Sequence, residues 1–324
     1  MADSKLTALT EVSVPDLDDL NYLVDVSDTT DDAAGSSRKV TLRRQLALCG
    51  ITPGGRITLE SGVPVSSSSQ TSKSTIYYTP YAHDWVRLYD GTRPKLYQFT
   101  ERSLALSGLT SGKNYDVFLY DNSGTLTLEL SAAWTDDTTR ADALAWQAGV
   151  GYVKSGTATR LWLGIIRTTG TTTTGLEFGG TNTKPYCFFK NYYNRVRAAF
   201  RYTDSADSWS YSSATLRAMN NSSSARFEFV EVEPAFVDAG IHIHIGGSGN
   251  GRLAIGYDST TALYTAVAQF NAVGMTGAMS ESVRTTAGYH YVAPLEACGS
   301  GTATFYGDAA TSTPYSLFRC VYEY

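Results

Sequence analysis

Residues 76–134 constrain the fold more than any other stretch of the chain. They read IYYTPYAHDWVRLYDGTRPKLYQFTERSLALSGLTSGKNYDVFLYDNSGTLTLELSAAW. Tyr89-Asp90-Gly91 separates Trp85-Val86-Arg87-Leu88-Tyr89 from Lys95-Leu96-Tyr97-Gln98-Phe99, two runs rich in β-branched, aliphatic and aromatic residues, as a hairpin requires. Asp121-Asn122-Ser123-Gly124 does the same between residues 115–120 and 126–130, since Asn and Gly adopt turn conformations that other residues resist. At least four strands are therefore expected here.

With 324 residues and a prior of about 150 per domain, two or three units are expected. Hydrophobic residues make up 42%, enough for a real core, and charged residues only 18%, so the polar surface comes from Ser, Thr, Asn and Gly. The fold class expected is mainly β. Residues 1–50 read as a small separate unit: Leu20, Tyr22, Val24 and Val26 alternate with Asn21, Leu23 and Asp25 to give one apolar strand face. An acidic loop follows, and Thr41 would cap a short helix over 42–48 that Gly50 ends. One strand and one helix cannot bury a core alone, so this unit is expected to fold against its own copies or a partner.

Residues 51–74 and 171–184 read as linkers, from Pro53-Gly54-Gly55 and the Ser66–Ser69 run in the first and GTTTTGLEFGG in the second. They would delimit a central antiparallel module at 75–170 and a C-terminal domain at 185–324. Within the central module, Ala143, Leu144 and Trp146 suggest one short helix over 139–147. The C-terminal part offers runs at 195–200, 209–216, 226–232, 241–245, 253–257, 265–270, 289–295, 302–306 and 317–322, a spacing that suggests a jelly-roll-like sandwich.

The 76–134 stretch, with TRADALAWQAGVGYVKSGTATRLWLGIIRTTG at 139–170, resembles a module of tailed-bacteriophage and prophage virion fibre proteins. The pattern LTALTEV, DLDDLNYLVDV, RKVTLRRQL resembles the N-terminal attachment segments of such fibres, and GYHYVAPLEACGSGTATFYGD at 288–308 resembles their terminal domains. The resemblance implies a homotrimeric fibre, a tail or head fibre, anchored by its N-terminus to other virion proteins of tail or capsid. A distal C-terminal domain would then meet a host surface glycan or protein. Leu20, Tyr22, Val24, Val26, Val40, Leu42 and Leu46 are the expected attachment residues, and the virion, assembled in the bacterial host cytoplasm, is the expected location. Two alternatives stand beside this one: a capsid decoration, head fibre or tail adaptor with no receptor, and a tailspike-type glycan depolymerase.

Net charge is −5, with no basic run beyond Arg43-Arg44, which argues against nucleic acid as main partner, because phosphate binding needs clustered cations. The first 19 residues are polar and acidic, so no signal peptide is expected, and no apolar run approaches the roughly 20 residues of a membrane span. Cys49, Cys187, Cys298 and Cys320 form no C-x-x-C pair and read as small buried hydrophobes, with a Cys298–Cys320 disulfide as the other option. No Gly-x-Ser-x-Gly elbow is present, and carboxylate pairs for glycan cleavage, which any of 31 acids could supply, are neither found nor excluded; the chain is short and unrepetitive for the long β-helix on which enzymatic tailspikes build such a site, so no enzyme and no cofactor are expected. His242 and His244, in AGIHIHIGG, share one strand face while Ile241, Ile243 and Ile245 share the other. Fibres and spikes are similar where a His-x-His pair meets its copies on a threefold axis to hold a metal; the simpler expectation is two histidines on the wetter side of a strand. The run 246–251 lacks the Gly-Lys-Ser/Thr ending of a phosphate loop and reads as a sandwich-end loop. Loops at 203–211 and 246–251 are the expected place for a receptor, with Trp209, Tyr211 and Asn250 as candidate contacts.

Overall fold

The computed structural model describes residues 19–42, 45, 50–271, 274–308 and 315–324. Leu42 and Gln45 are helical, and the rest of the helix expected over 42–48 lies outside the described residues, as do Leu46 and Cys49. The architecture is mainly β, as expected. Strands run through the described chain, and helix is confined to Leu42, Gln45 and a 3₁₀ turn at Met219–Asn221.

Both expected hairpins form. Trp85–Tyr89 pairs antiparallel with Pro94–Gln98, and Asn114–Asn122 with Thr125–Leu130. The second turns through Ser123 and Gly124, both at positive φ (52° and 94°). Asn114–Asn122 then pairs with the long strand Thr157–Arg167 at the centre of a six-stranded sheet. Gly55–Thr58, Thr75–Pro80 and Arg102–Ala105 form a three-stranded sheet, and Ile57, Ile76, Val86, Leu88, Val117, Leu119 and Leu161 are buried together in the core.

Two larger sheets build the C-terminal part. One runs Val267–Phe270, Gly251–Tyr257, Gly288–Cys298, Phe227–Glu231, Tyr186–Cys187, Thr174–Glu177 and Gln70–Lys73, with Arg217–Ala218 also paired to Gly288–Cys298. The other runs Gly179–Thr181, Arg197–Thr203, Ser316–Glu323, Phe236–Gly247, Ala303–Tyr306 and Ser208–Tyr211, with Met275–Arg284 also on Phe236–Gly247. Aromatic rings fill the space between them: Phe200 stacks on Phe227 at 4.3 Å, and Phe229 lies 5.2 Å from Tyr322. Such ring pairs add directional attraction to the burial of their area.

Three expectations are corrected. Residues 139–147 hold no helix: Leu144–Gln147 is a strand paired with Gly151–Lys154. Leu144 and Trp146 are two apart, so they share a face in a strand, and the Trp146 ring meets Tyr152 edge-on at 5.3 Å. An ion pair from Lys154 to Asp142 at 3.0 Å ties the hairpin at its open end. The stretches read as linkers are also structured, with Gln70–Lys73 and Thr174–Glu177 pairing with each other and Gly179–Thr181 running parallel to Arg197–Thr203. A single buried cluster therefore extends from Ile57 to Tyr324 without a break at 74 or 184. Finally, Met275–Arg284 is a ten-residue strand where none was expected.

Candidate interaction surfaces

The strands Leu20–Asp25 and Ser36–Thr41 form a hairpin in full register, Leu20 opposite Thr41 and Asp25 opposite Ser36. None of its residues enters the core clusters, and it shares no extensive packing with any other described strand. A two-stranded hairpin is marginal by itself in water, so local bonds must hold this one. Arg38 bridges Asp28 and Asp31 at 2.5 and 2.6 Å, drawing the acidic loop onto the second strand. Asp28 also accepts from the Thr30 hydroxyl and amide, and these bonds, with Arg38, hold its carboxyl well below the usual range. Gly35, at φ 123°, lets the loop close where a Cβ would meet the Asp25 carbonyl oxygen at 2.8 Å.

The two faces of the hairpin differ. Leu20, Tyr22 and Val24 point to one side, 55%, 74% and 50% exposed, opposite Thr41, Lys39 and Ser37. The Tyr22 hydroxyl is 2.6 Å from the Ser37 hydroxyl, which spreads the phenol across both strands. Val26, 75% exposed, follows the strand's end. Val40 lies opposite Asn21 and so belongs to the other face, while Leu42 is half-buried and its amide donates to the Asp19 carbonyl at 3.1 Å. The expected attachment residues thus do not make one surface: Leu20, Tyr22 and Val24 do, joined by Ser37 and Lys39. Only the cross-strand register, which a single strand cannot reveal, brings in the last two.

His242 and His244 lie on the long strand Phe236–Gly247 with Ile241, Ile243 and Ile245 buried on its other side. Within one chain the two imidazoles share the outward face but differ in surroundings. His242 is exposed, whereas the His244 ring sits 5.1 Å from Tyr306 and 6.0 Å from Tyr315. Among the described residues no group of three or more His, Cys, Asp or Glu could hold a metal ion.

Trp209 and Tyr211 are committed to internal contacts. Trp209 stacks on Phe305 at 6.0 Å and donates its indole N–H to the buried Glu296 at 2.7 Å. Tyr211 donates to the Thr215 carbonyl, with the Arg217 guanidinium 3.8 Å above its ring. Asn250 is half-buried, its backbone bonded to Ser300 and Gly299. Cys187, Cys298 and Cys320 are buried free thiols, and burial pushes Cys187 up to about 12, so it carries no nucleophilic thiolate near neutral pH. His290, also buried, has Nδ1 2.8 Å from both Asp258 and the Tyr257 hydroxyl.

No family profile matches the chain, and no curated protein does. Among solved structures it is similar to BuGH86 in complex with neoagarooctaose, at 8% identity and a TM-score of 0.21, over 93% of this chain and 40% of that one. It is also similar to a Bacillus thuringiensis Cry1Da tryptic core variant (9% identity, TM-score 0.19, 95% of this chain and 58% of that one). The Bacillus thuringiensis insecticidal delta-endotoxin Cry8Ea1 gives 9% identity and a TM-score of 0.17, over 95% and 60%. The chain spans less than two thirds of each of these structures, and TM-scores this low carry no argument about its function.

Proposed function

We propose that the chain is a virion fibre protein of a tailed bacteriophage or prophage, a homotrimer anchored to the particle by its N-terminal hairpin. The observation that carries this reading is the hairpin itself. Leu20, Tyr22 and Val24 form an apolar face that nothing else in the described chain covers. Exposed apolar surface of this kind, rimmed by Ser37 and Lys39, is what a protein partner would remove from water. The same segment carries the resemblance to fibre attachment segments, so sequence pattern and exposure point to one role. Behind the hairpin, one buried cluster runs from Ile57 to Tyr324; on this reading it is the body of the fibre, with a jelly-roll-like sandwich as its distal part.

The test is twofold. Sedimentation of the purified protein should give about three times the 35.1 kDa chain mass; a monomer would remove the trimer from the reading. Imaging of the particle encoded by the same genome, with the chain labelled at its C-terminus, should place the label outside the capsid or tail surface. A label absent from particles would remove the virion role altogether.

A further inference from the structure

Four residues on the outer side of the seven-stranded sheet lie in one cross-strand row. Arg201 is directly opposite Arg319, Arg319 opposite Gly240, and Gly240 opposite Ser280. Their chain neighbours Phe200, Tyr202, Phe318, Cys320, Ala239 and Ile241 are buried, which turns the row outward. Three strand spacings of about 4.8 Å make the row roughly 14 Å long.

Two features of this row have no explanation within the fold. Like charges directly opposite on paired strands destabilise a sheet, and neither arginine has an ion pair or hydrogen bond from its side chain among the described residues. The acids nearby are occupied: Arg197 takes Asp238 at 3.1 Å and Glu323 at 3.7 Å. Gly240 is the second feature. It sits mid-strand, paired on both sides, where glycine weakens a strand, yet a Cβ there would meet only ordinary contacts at 3.6 and 3.8 Å. Packing therefore does not require it. A glycine in such a place keeps the floor clear for a ligand that approaches the backbone closely. A shallow furrow of about 680 Å³ passes over it, lined among others by Asp238, His242, Ser280 and Arg319.

We propose that this row binds a glycan carrying an oxyanion, with the carboxylate or sulfate held between the Arg201 and Arg319 guanidiniums and a sugar ring lying over Gly240 toward Ser280. Guanidinium forks suit such planar or trigonal anions, and the charge-assisted bonds would offset the repulsion between the two cations. A polyphosphate is disfavoured, because two uncompensated cations on a chain of net charge −5 give little counterion release. The site differs from the loops expected to meet a receptor, and glycan binding by the purified protein would stand even if the chain were not incorporated into particles.

The experiment is an array of uronate-bearing, sialylated, sulfated and neutral oligosaccharides probed with the full-length protein, followed by calorimetry on the best binder. Binding of at least one anionic class above its neutral counterparts is expected, and the class that binds separates carboxylate from sulfate. Arg201→Gln and Arg319→Gln should each weaken it tenfold or more, and Gly240→Val similarly, with melting temperatures held or raised for the arginine variants. No anionic preference, or binding unchanged in both arginine variants, overturns the proposal. So does a trimer that falls apart in Arg319→Gln, which would assign this face to contacts between copies of the chain.

Discussion

Lys190 and Glu231 are ion-paired in the interior, with Nζ 2.7 Å from Oε2 and side chains 2% and 0% exposed. Lys190 stands on Phe189–Asn191, which pairs with Thr157–Arg167 of the central sheet, and Glu231 on Phe227–Glu231 of the C-terminal one. The pair thus ties the central sheet to the C-terminal one, although both residues lie in the unit the sequence assigns to 185–324. Burial lowers Lys190 and raises Glu231, each held in check by the other's charge.

Removing one partner strands the other charge. Lys190→Met is expected to cost about 3–5 kcal/mol, while Lys190→Met combined with Glu231→Leu should recover much of that loss. Urea unfolding of the full chain measures both. Strictly additive losses would show that the pair is not coupled.

The hairpin loop should respond to acid. Asp28 has its folded pKa depressed by the Thr30 bonds first and Arg38 after them. A depressed carboxylate stabilises above its unfolded value, here 3.8, and that contribution fades as pH falls below it. The Thr30 and Arg38 amide signals are therefore expected to hold from neutral pH through 3.8 and to shift only as pH falls through the depressed folded value. Asp28→Asn should show the shifted signals already at pH 7. A titration of these signals centred at 3.8 or above would contradict this account of the loop.

Trp209 is expected to matter for stability more than for recognition. Trp209→Ala removes the stack on Phe305 and one donor to Glu296, at a cost of up to about 3 kcal/mol. Asn250→Ala should leave the melting temperature within a degree or two. If Trp209→Ala melts like the wild type but loses ligand binding, the ring is a contact and not a support.

Hairpins were legible where strand alternation and turn chemistry coincide, as in Trp85–Tyr89 with Pro94–Gln98. Met275–Arg284 was not, because its outward residues Thr276, Ala278, Ser280 and Ser282 are small or polar and Gly277 faces inward. The gap is physical: a Cβ on Gly277 would touch Ile245, Phe270 and Leu253 at 3.0 to 3.1 Å, so the inner face has no room for the apolar residue that marks a strand. Gln70–Lys73 and Thr174–Glu177 resemble linkers in composition, yet pairing across a hundred residues folds them, and no local pattern reports that. Of the candidate site, the apolar alternation at Leu20, Tyr22 and Val24 was plain, while the Arg38 ties to Asp28 and Asp31 depend on how the loop folds back. The Arg201–Arg319 row was invisible for the same reason, its members lying far apart in sequence and adjacent only in register.

The most direct measurement is incorporation of a Tyr22→Asp, Val24→Asp variant into particles, scored against wild type by immunoblot of purified virions. Because the hairpin contributes nothing to the core, the variant should melt as the wild type does. The account predicts particles that carry at most a tenth of the normal amount of the chain, since two carboxylates would enter an apolar contact without partners. Normal incorporation of a folded variant would contradict it.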